Sequence, residues 1–185
     1  HFTGDFYSSF ITPLLPAFTD RFALTLTQVG LLSGLGRFLA FVVQPSVGYL
    51  ADRYQTRFFI LGGVFLSVIF IPLTGVAPSF AALLGCIALG SVGSSMFHPS
   101  VAGMVPLYSG VRPGLSMSFF NTGGTFAFAV GPVAITWFVG KYGLPSAPLT
   151  MIPGLFLLLL IFFAVPVPKG EGLGNQFLGN IRETD

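Results

Sequence analysis

Apolar residues run in long stretches along this chain, and polar ones gather into short breaks between them. Crossing a bilayer's hydrocarbon core takes about 20 apolar residues in a helix. Six segments reach that length: 1–18, 26–51, 57–76, 79–105, 113–140 and 146–166. The breaks are Thr19-Asp20-Arg21, Asp52-Arg53-Tyr54-Gln55-Thr56, Ala77-Pro78, Ser109-Gly110-Val111-Arg112 and Lys141-Tyr142-Gly143. The pattern predicts an all-α integral membrane protein with a six-helix transmembrane domain over 1–166. Residues 167–185, Gly-rich and charged without helical periodicity, read as a cytoplasmic linker or tail.

Polar residues inside the segments fall into stripes. The first segment places His1, Asp5, Ser8, Ser9 and Thr12 at steps of three and four, the spacing of one helical face. The second carries Gly30, Ser33, Arg37, Gln44 and Gly48; the fourth Ser91, Ser94, Ser95 and His98; the fifth Asn121, Gly124 and Gly131. The third and sixth are bland, and Leu155 to Phe163 holds nothing polar. A lipid-facing surface should be apolar, so these stripes predict that spans one, two, four and five surround a polar interior. Spans three and six are then expected outside. The order polar, polar, bland, repeated twice, matches an inverted three-plus-three repeat.

Composition narrows the class. Of 185 residues, 53% are hydrophobic and only 8% charged, with a mean hydropathy of +0.85. A soluble domain carries about a quarter charged residues, so a water-facing shell is excluded. One cysteine, Cys86, excludes a disulfide scaffold. A net charge of +2 without a basic run gives nucleic acid nothing to bind. Loop cations set orientation: Arg53, Arg57, Arg112, Lys169 and Arg182 fall on one side, Arg21 and Lys141 on the other. Both ends are therefore expected in the cytoplasm. The chain opens at His1, so the first helix is expected to continue upstream. Asp5 sits where a signal peptide would need apolar residues.

Charged groups at membrane depth cost about 2.5–3.5 kcal/mol each on insertion scales, so each needs a reason. Asp5 lies roughly 20 Å and Arg37 roughly 15 Å below the outer ends of their helices at the α-helical rise. They form either a structural ion pair or part of a water-filled cavity. His98 precedes Pro99 within the small-residue run Gly93-Ser94-Ser95, where a missing backbone donor predicts a bend or break. Its imidazole either carries a proton or bonds between helices. Asn121 is either cavity-lining or interhelical glue. Gly123, Gly124 and Gly131 with Pro132 predict close helix approach and a kink. Neither a metal-ligand cluster, a nucleophile triad nor a phosphate-cradling loop is visible at sequence spacing. No cofactor, no metal and no enzymatic activity are expected.

The residues Gly48-Tyr49-Leu50-Ala51-Asp52-Arg53-Tyr54-Gln55-Thr56-Arg57 resemble the loop signature of the major facilitator superfamily, and lie between helices two and three as that signature does. Gln55 and Thr56 depart from it. The ordered set Gly93-Ser94-Ser95-Met96-Phe97-His98-Pro99, Arg112-Pro113-Gly114-Leu115-Ser116-Met117-Ser118, Gly123-Gly124 and Gly131-Pro132 is similar to the fosmidomycin-resistance family of bacterial drug exporters. His1 with Asp5, Pro13-Leu14-Leu15 and Gln44-Pro45-Ser46-Val47-Gly48-Tyr49 fit it too; Arg37 departs from it.

The resemblance covers nearly the whole chain and implies the amino-terminal half of a twelve-helix transporter in a bacterial inner membrane. It implies alternating access driven by proton influx, with small molecules and protons as partners and a carboxy-terminal six-helix half completing the cavity. Helices one and four would line that cavity, two and five would contact the other half, and Asp52 would help hold one conformation. Asp5, His98, His1, Arg37 and Asn121 are the candidate proton-coupling or cavity residues. The alternative reading is a half-size subunit or scaffold that transports nothing.

Overall fold

The computed structural model describes residues 1–54 and 56–165. Residue 55, residue 166 and the expected tail over 167–185 lie outside the described residues, as do Lys169 and Arg182. The described chain is helical throughout: α1 (Phe2–Ser8), α2 (Ile11–Phe22), α3 (Leu26–Ala51), α4 (Thr56–Leu73), α5 (Phe80–Tyr108), α6 (Pro113–Tyr142) and α7 (Met151–Ala164). Short 3-10 turns, Thr74–Val76 and Leu144–Thr150, extend α4 and precede α7. Five helical runs are long and apolar enough to cross a bilayer: Leu26–Ala51, Thr56–Val76, Phe80–Tyr108, Pro113–Tyr142 and Leu144–Ala164. The expected first span is divided between α1 and α2, neither of which reaches that length alone.

That division falls at Ser9-Phe10, one turn before Pro13. A proline ring collides with the carbonyl four residues back and offers it no donor, which here is Ser9's. The freed turn is held by other bonds: Ser9 Oγ donates to the Phe6 carbonyl at 2.7 Å and Phe10 N–H to the Tyr7 carbonyl at 3.1 Å. The break expected at His98-Pro99 does not occur. The helix α5 runs unbroken through Pro99 and Pro106. Serines support the carbonyls around the proline, Ser95 Oγ donating to Ser91 O at 2.8 Å and Ser100 Oγ to Met96 O at 2.9 Å. Likewise α6 passes through Pro132 without interruption.

Caps mark the other ends. Thr25 and Gln28 form a capping box at the start of α3, satisfying two backbone donors reciprocally. Ser79 Oγ accepts from Ala82 N–H at the start of α5. Gly143, at φ +83°, ends α6 in a conformation that strains any residue bearing a side chain.

The core gathers Tyr7, Phe10, Phe18, Val64, Val68, Leu83 and Ile87 from α1, α2, α4 and α5. The third span, α4, stays off the polar cleft except at Ile71, yet it is the most buried of the long helices, with Ile60, Gly63, Val64, Ser67, Val68 and Ile71 all buried. An apolar helix fits equally in lipid or in a bundle core, so blandness alone could not place it. The sixth span, α7, does turn outward, exposing Ile152, Phe156 and Phe163.

Helices α4 and α5 approach through glycine. A Cβ on Gly93 would lie 2.6 Å from the Gly63 oxygen, and one on Gly63 would lie 2.6 Å from the Gly93 oxygen. Ser67 Oγ donates to the Gly90 carbonyl across the same contact at 3.1 Å. Backbone contact of this kind is how helices gain packing energy where lipid removes the hydrophobic drive. We expect Gly93→Val to destabilise the bundle by about 1–3 kcal/mol, the usual overpacking cost, in denaturant titrations in detergent micelles. Gly123→Val, where a Cβ meets nothing within 4 Å, should leave the midpoint unchanged.

Candidate functional site

Asp5, on α1, is 3% exposed. A carboxylate so buried is tolerated only beside opposite charge or hydrogen donors, and two imidazoles meet it. His1 Nε2, one turn earlier on the same helix, lies 3.0 Å from Oδ2; His98 Nε2, from α5, lies 3.1 Å from Oδ1. These are the only ion pairs among the described residues. His98's approach is close but poorly aligned, and Oδ1 is left as a buried oxygen without a hydrogen bond.

The His1 ring is fixed from its other side. Nδ1 lies 2.6 Å from the Phe120 carbonyl on α6, and the ring stacks on that of Phe120 at 3.8 Å between centroids. A carbonyl only accepts, so Nδ1 carries its proton and donates. In the neutral ring Nε2 is then a lone pair facing a carboxylate oxygen at 3.0 Å, and two acceptors repel. The two imidazoles stand edge to face, 5.3 Å apart.

Small residues make the room. A Cβ on Gly124 would lie 2.5 Å from Asp5 Oδ2 and 2.6 Å from His1 Cε1; one on Gly131 would collide with Ser9 Oγ. Gly4 plays the same part toward Phe97, whose ring comes within 3.0 Å of the corresponding point. Thus α6 lies against α1 because its glycines admit the polar cluster.

Beside the cluster opens a cleft of about 400 Å³, lined with polar groups: Ser8 and Thr12 from the first span, Ser33, Arg37 and Gln44 from α3, and Ser94 and His98 from α5. His98 thus touches both the cleft and buried Asp5. Arg37 faces the same cleft and is exposed, but it makes no ion pair with Asp5, whose charge the histidines meet instead. Asn121 is exposed and absent from the cleft wall; its carbonyl accepts from Thr125 Oγ1 at 3.1 Å. Gly123 faces open space, unlike Gly124 and Gly131. Pro99 meets α3 at Gly48, where a Cβ would lie 4.0 Å from its own.

In the loop, exposed Asp52 caps α3, its N–H bonding to Gly48 O at 3.1 Å. Arg53 lies over the Tyr49 ring at 4.3 Å. Arg57 donates to the Phe162 carbonyl at 2.5 Å and covers that ring, tying α4 to α7. Two groups at the site went unread in the sequence. The Phe120 carbonyl is a backbone acceptor that no residue type announces, and Phe97 is one among 22 phenylalanines.

A bundle of apolar helices long enough to cross a bilayer, with a buried carboxylate beside a polar cleft, defines an integral membrane protein. The Major Facilitator Superfamily model matches residues 1–180, and the chain belongs to that family of membrane transporters. It is 29% identical over 161 residues to the fosmidomycin resistance protein of Escherichia coli (strain K12), covering 87% of this chain and 40% of that protein. It is 26% identical over 167 residues to YfnC, an uncharacterized MFS-type transporter of Bacillus subtilis (strain 168), covering 89% and 40%. YwoD, another uncharacterized MFS-type transporter of that organism, is 29% identical over 170 residues, covering 90% and 37%. The chain therefore spans about two fifths of the length of the curated relatives it matches.

The geometry makes Gly124 a sharp probe. Gly124→Val should push Asp5 and His1 apart and, in the full-length protein, cut transport by about tenfold or more, the factor for 1.4 kcal/mol.

Proposed function

We propose that this chain is the amino-terminal half of a secondary active transporter that exports small molecules by alternating access, driven by proton influx. The carboxy-terminal half supplies the rest of the cavity, and the protein sits in a bacterial inner membrane with both termini cytoplasmic. One observation carries the reading: His98 borders the cleft while contacting Asp5, which is sealed behind it. A proton entering from the cleft reaches the buried carboxylate through one imidazole, and the acceptor then lies between α1 and α5. Protonation changes the charge holding those helices together, and a state that depends on that charge shifts in population. Family membership and likeness to a protein named for fosmidomycin resistance support the drug-export reading.

Each residue then has a part. Asp5 and His98 exchange the proton, His1 holds Asp5 in place, and Arg37 gives the cleft a fixed positive charge that favours an anionic group on the substrate. Asp52, Arg53 and Arg57 stabilise one conformation at the cytoplasmic loop, Asp52 through the other half. The cluster involves no enzymatic step.

The test uses the full-length protein in proteoliposomes with an imposed pH gradient and fosmidomycin as probe. Asp5→Asn should bring gradient-driven transport to background while leaving exchange of fosmidomycin across the membrane without a gradient. His98→Gln should do the same, and Asn121→Ala should change neither. Gradient-driven transport at the parent rate in Asp5→Asn would show that Asp5 is structural and end the coupling reading.

A further inference from the structure

The histidine–carboxylate cluster has the donor set of a metal centre. One ligand atom from each of His1, Asp5 and His98 lies within 4.8 Å of the others. A tetrahedral cation with bonds of about 2.0–2.1 Å sets its ligand atoms about 3.3 Å apart. His1 Nε2 lies 3.0 Å from Asp5 Oδ2 and His98 Nε2 3.1 Å from Oδ1, so the two imidazoles flank the two oxygens of one carboxylate. A shared ion draws them together by a rotation of His98, which is the more exposed of the pair.

Three independent features point the same way. His1 donates Nδ1–H to the Phe120 carbonyl, so Nε2 is presented as a lone pair in a fixed orientation. A backbone acceptor on the far nitrogen is the usual outer support of a metal-ligating histidine. Asp5 Oδ1 is buried without a hydrogen bond, an unmet acceptor at the cluster's centre. Gly124 leaves space where any side chain would press on Asp5 Oδ2 and His1.

From these we propose that His1, Asp5 and His98 bind one first-row divalent cation of the zinc class, with a fourth position reached from the cleft past His98. Two imidazoles and one carboxylate suit zinc or cobalt(II); calcium and magnesium prefer all-oxygen sets, and copper(I) prefers sulfur. The ion ties α1 to α5. The site shares side chains with the proton site proposed above but rests on donor geometry alone and does not require coupling.

The experiment is cobalt(II) titration of the purified full-length protein in detergent, read by visible absorption, followed by displacement with zinc. One cobalt per chain should bind with the intense bands of a four-coordinate site, and zinc should bleach them. Asp5→Asn and His98→Gln should each weaken binding at least about tenfold, comparable to losing even an outer-shell support. Asn121→Ala, at an exposed position away from the cleft wall, should bind as the parent does. Zinc-edge X-ray absorption on the unaltered protein gives a readout free of any folding defect: two imidazole nitrogens and light-atom neighbours, without sulfur. Weak six-coordinate cobalt spectra, an all-oxygen or sulfur shell, or binding unchanged in both variants would overturn the site. Cobalt binding without gradient-driven transport would leave the metal site standing and remove the proton reading; the converse would remove the metal site alone.

Discussion

A carboxylate out of water must be compensated where it stands, and Asp5 organises its end of the bundle around that need. One imidazole comes from its own helix and the other from α5. The carbonyl that orients the first comes from α6. Three spans far apart in sequence therefore meet at a single charge. Breaking such a buried set by removing one partner costs far more than its net contribution to stability, because a charge or a lone pair is left unmatched. That penalty keeps α1, α5 and α6 in register and leaves no room for a side chain at Gly124.

Elsewhere the bundle relies on backbone contact. Gly63 and Gly93 bring α4 and α5 together, with Ser67 bonding to Gly90 across the seam. At the opposite end from the loop motif, Arg21 Nη1 donates to the Gly75 carbonyl at 2.6 Å, and the two 3-10 turns interlock there, Gly75 lying against Leu144 and Ala147. The apolar, glycine-fitted α4–α5 pair thus forms a stiff spine. The α1–α5–α6 junction beside it is held instead by polar contacts among His1, Asp5, His98 and the Phe120 carbonyl.

Much of this was legible in the residues. Segment lengths set the number of spans, because hydrocarbon thickness sets helix length. Segment one's stripe of His1, Asp5, Ser8 and Thr12 identified a face that does turn to the cluster and cleft. Arg37 was read as Asp5's partner or a cavity group, and it lies on the cleft wall without pairing with Asp5. Asn121 was grouped with Gly124 and Gly131 on one helical face and Gly123 with the close-packing glycines, yet Asn121 is exposed and Gly123 meets open space.

The sequence alone determined the class of molecule, the spans and the presence of a costly carboxylate, since these follow from local composition and period. It could not say which histidine answers that carboxylate, that Phe120's carbonyl fixes the first ring, or that bland α4 belongs at the centre. Nor could it decide that the first span divides at Ser9 while α5 passes intact through Pro99. Those outcomes depend on which backbones come close enough to touch, and apolar surface fits lipid and protein equally well. Only the assembled bundle, by bringing particular backbones and side chains into contact, chooses among them.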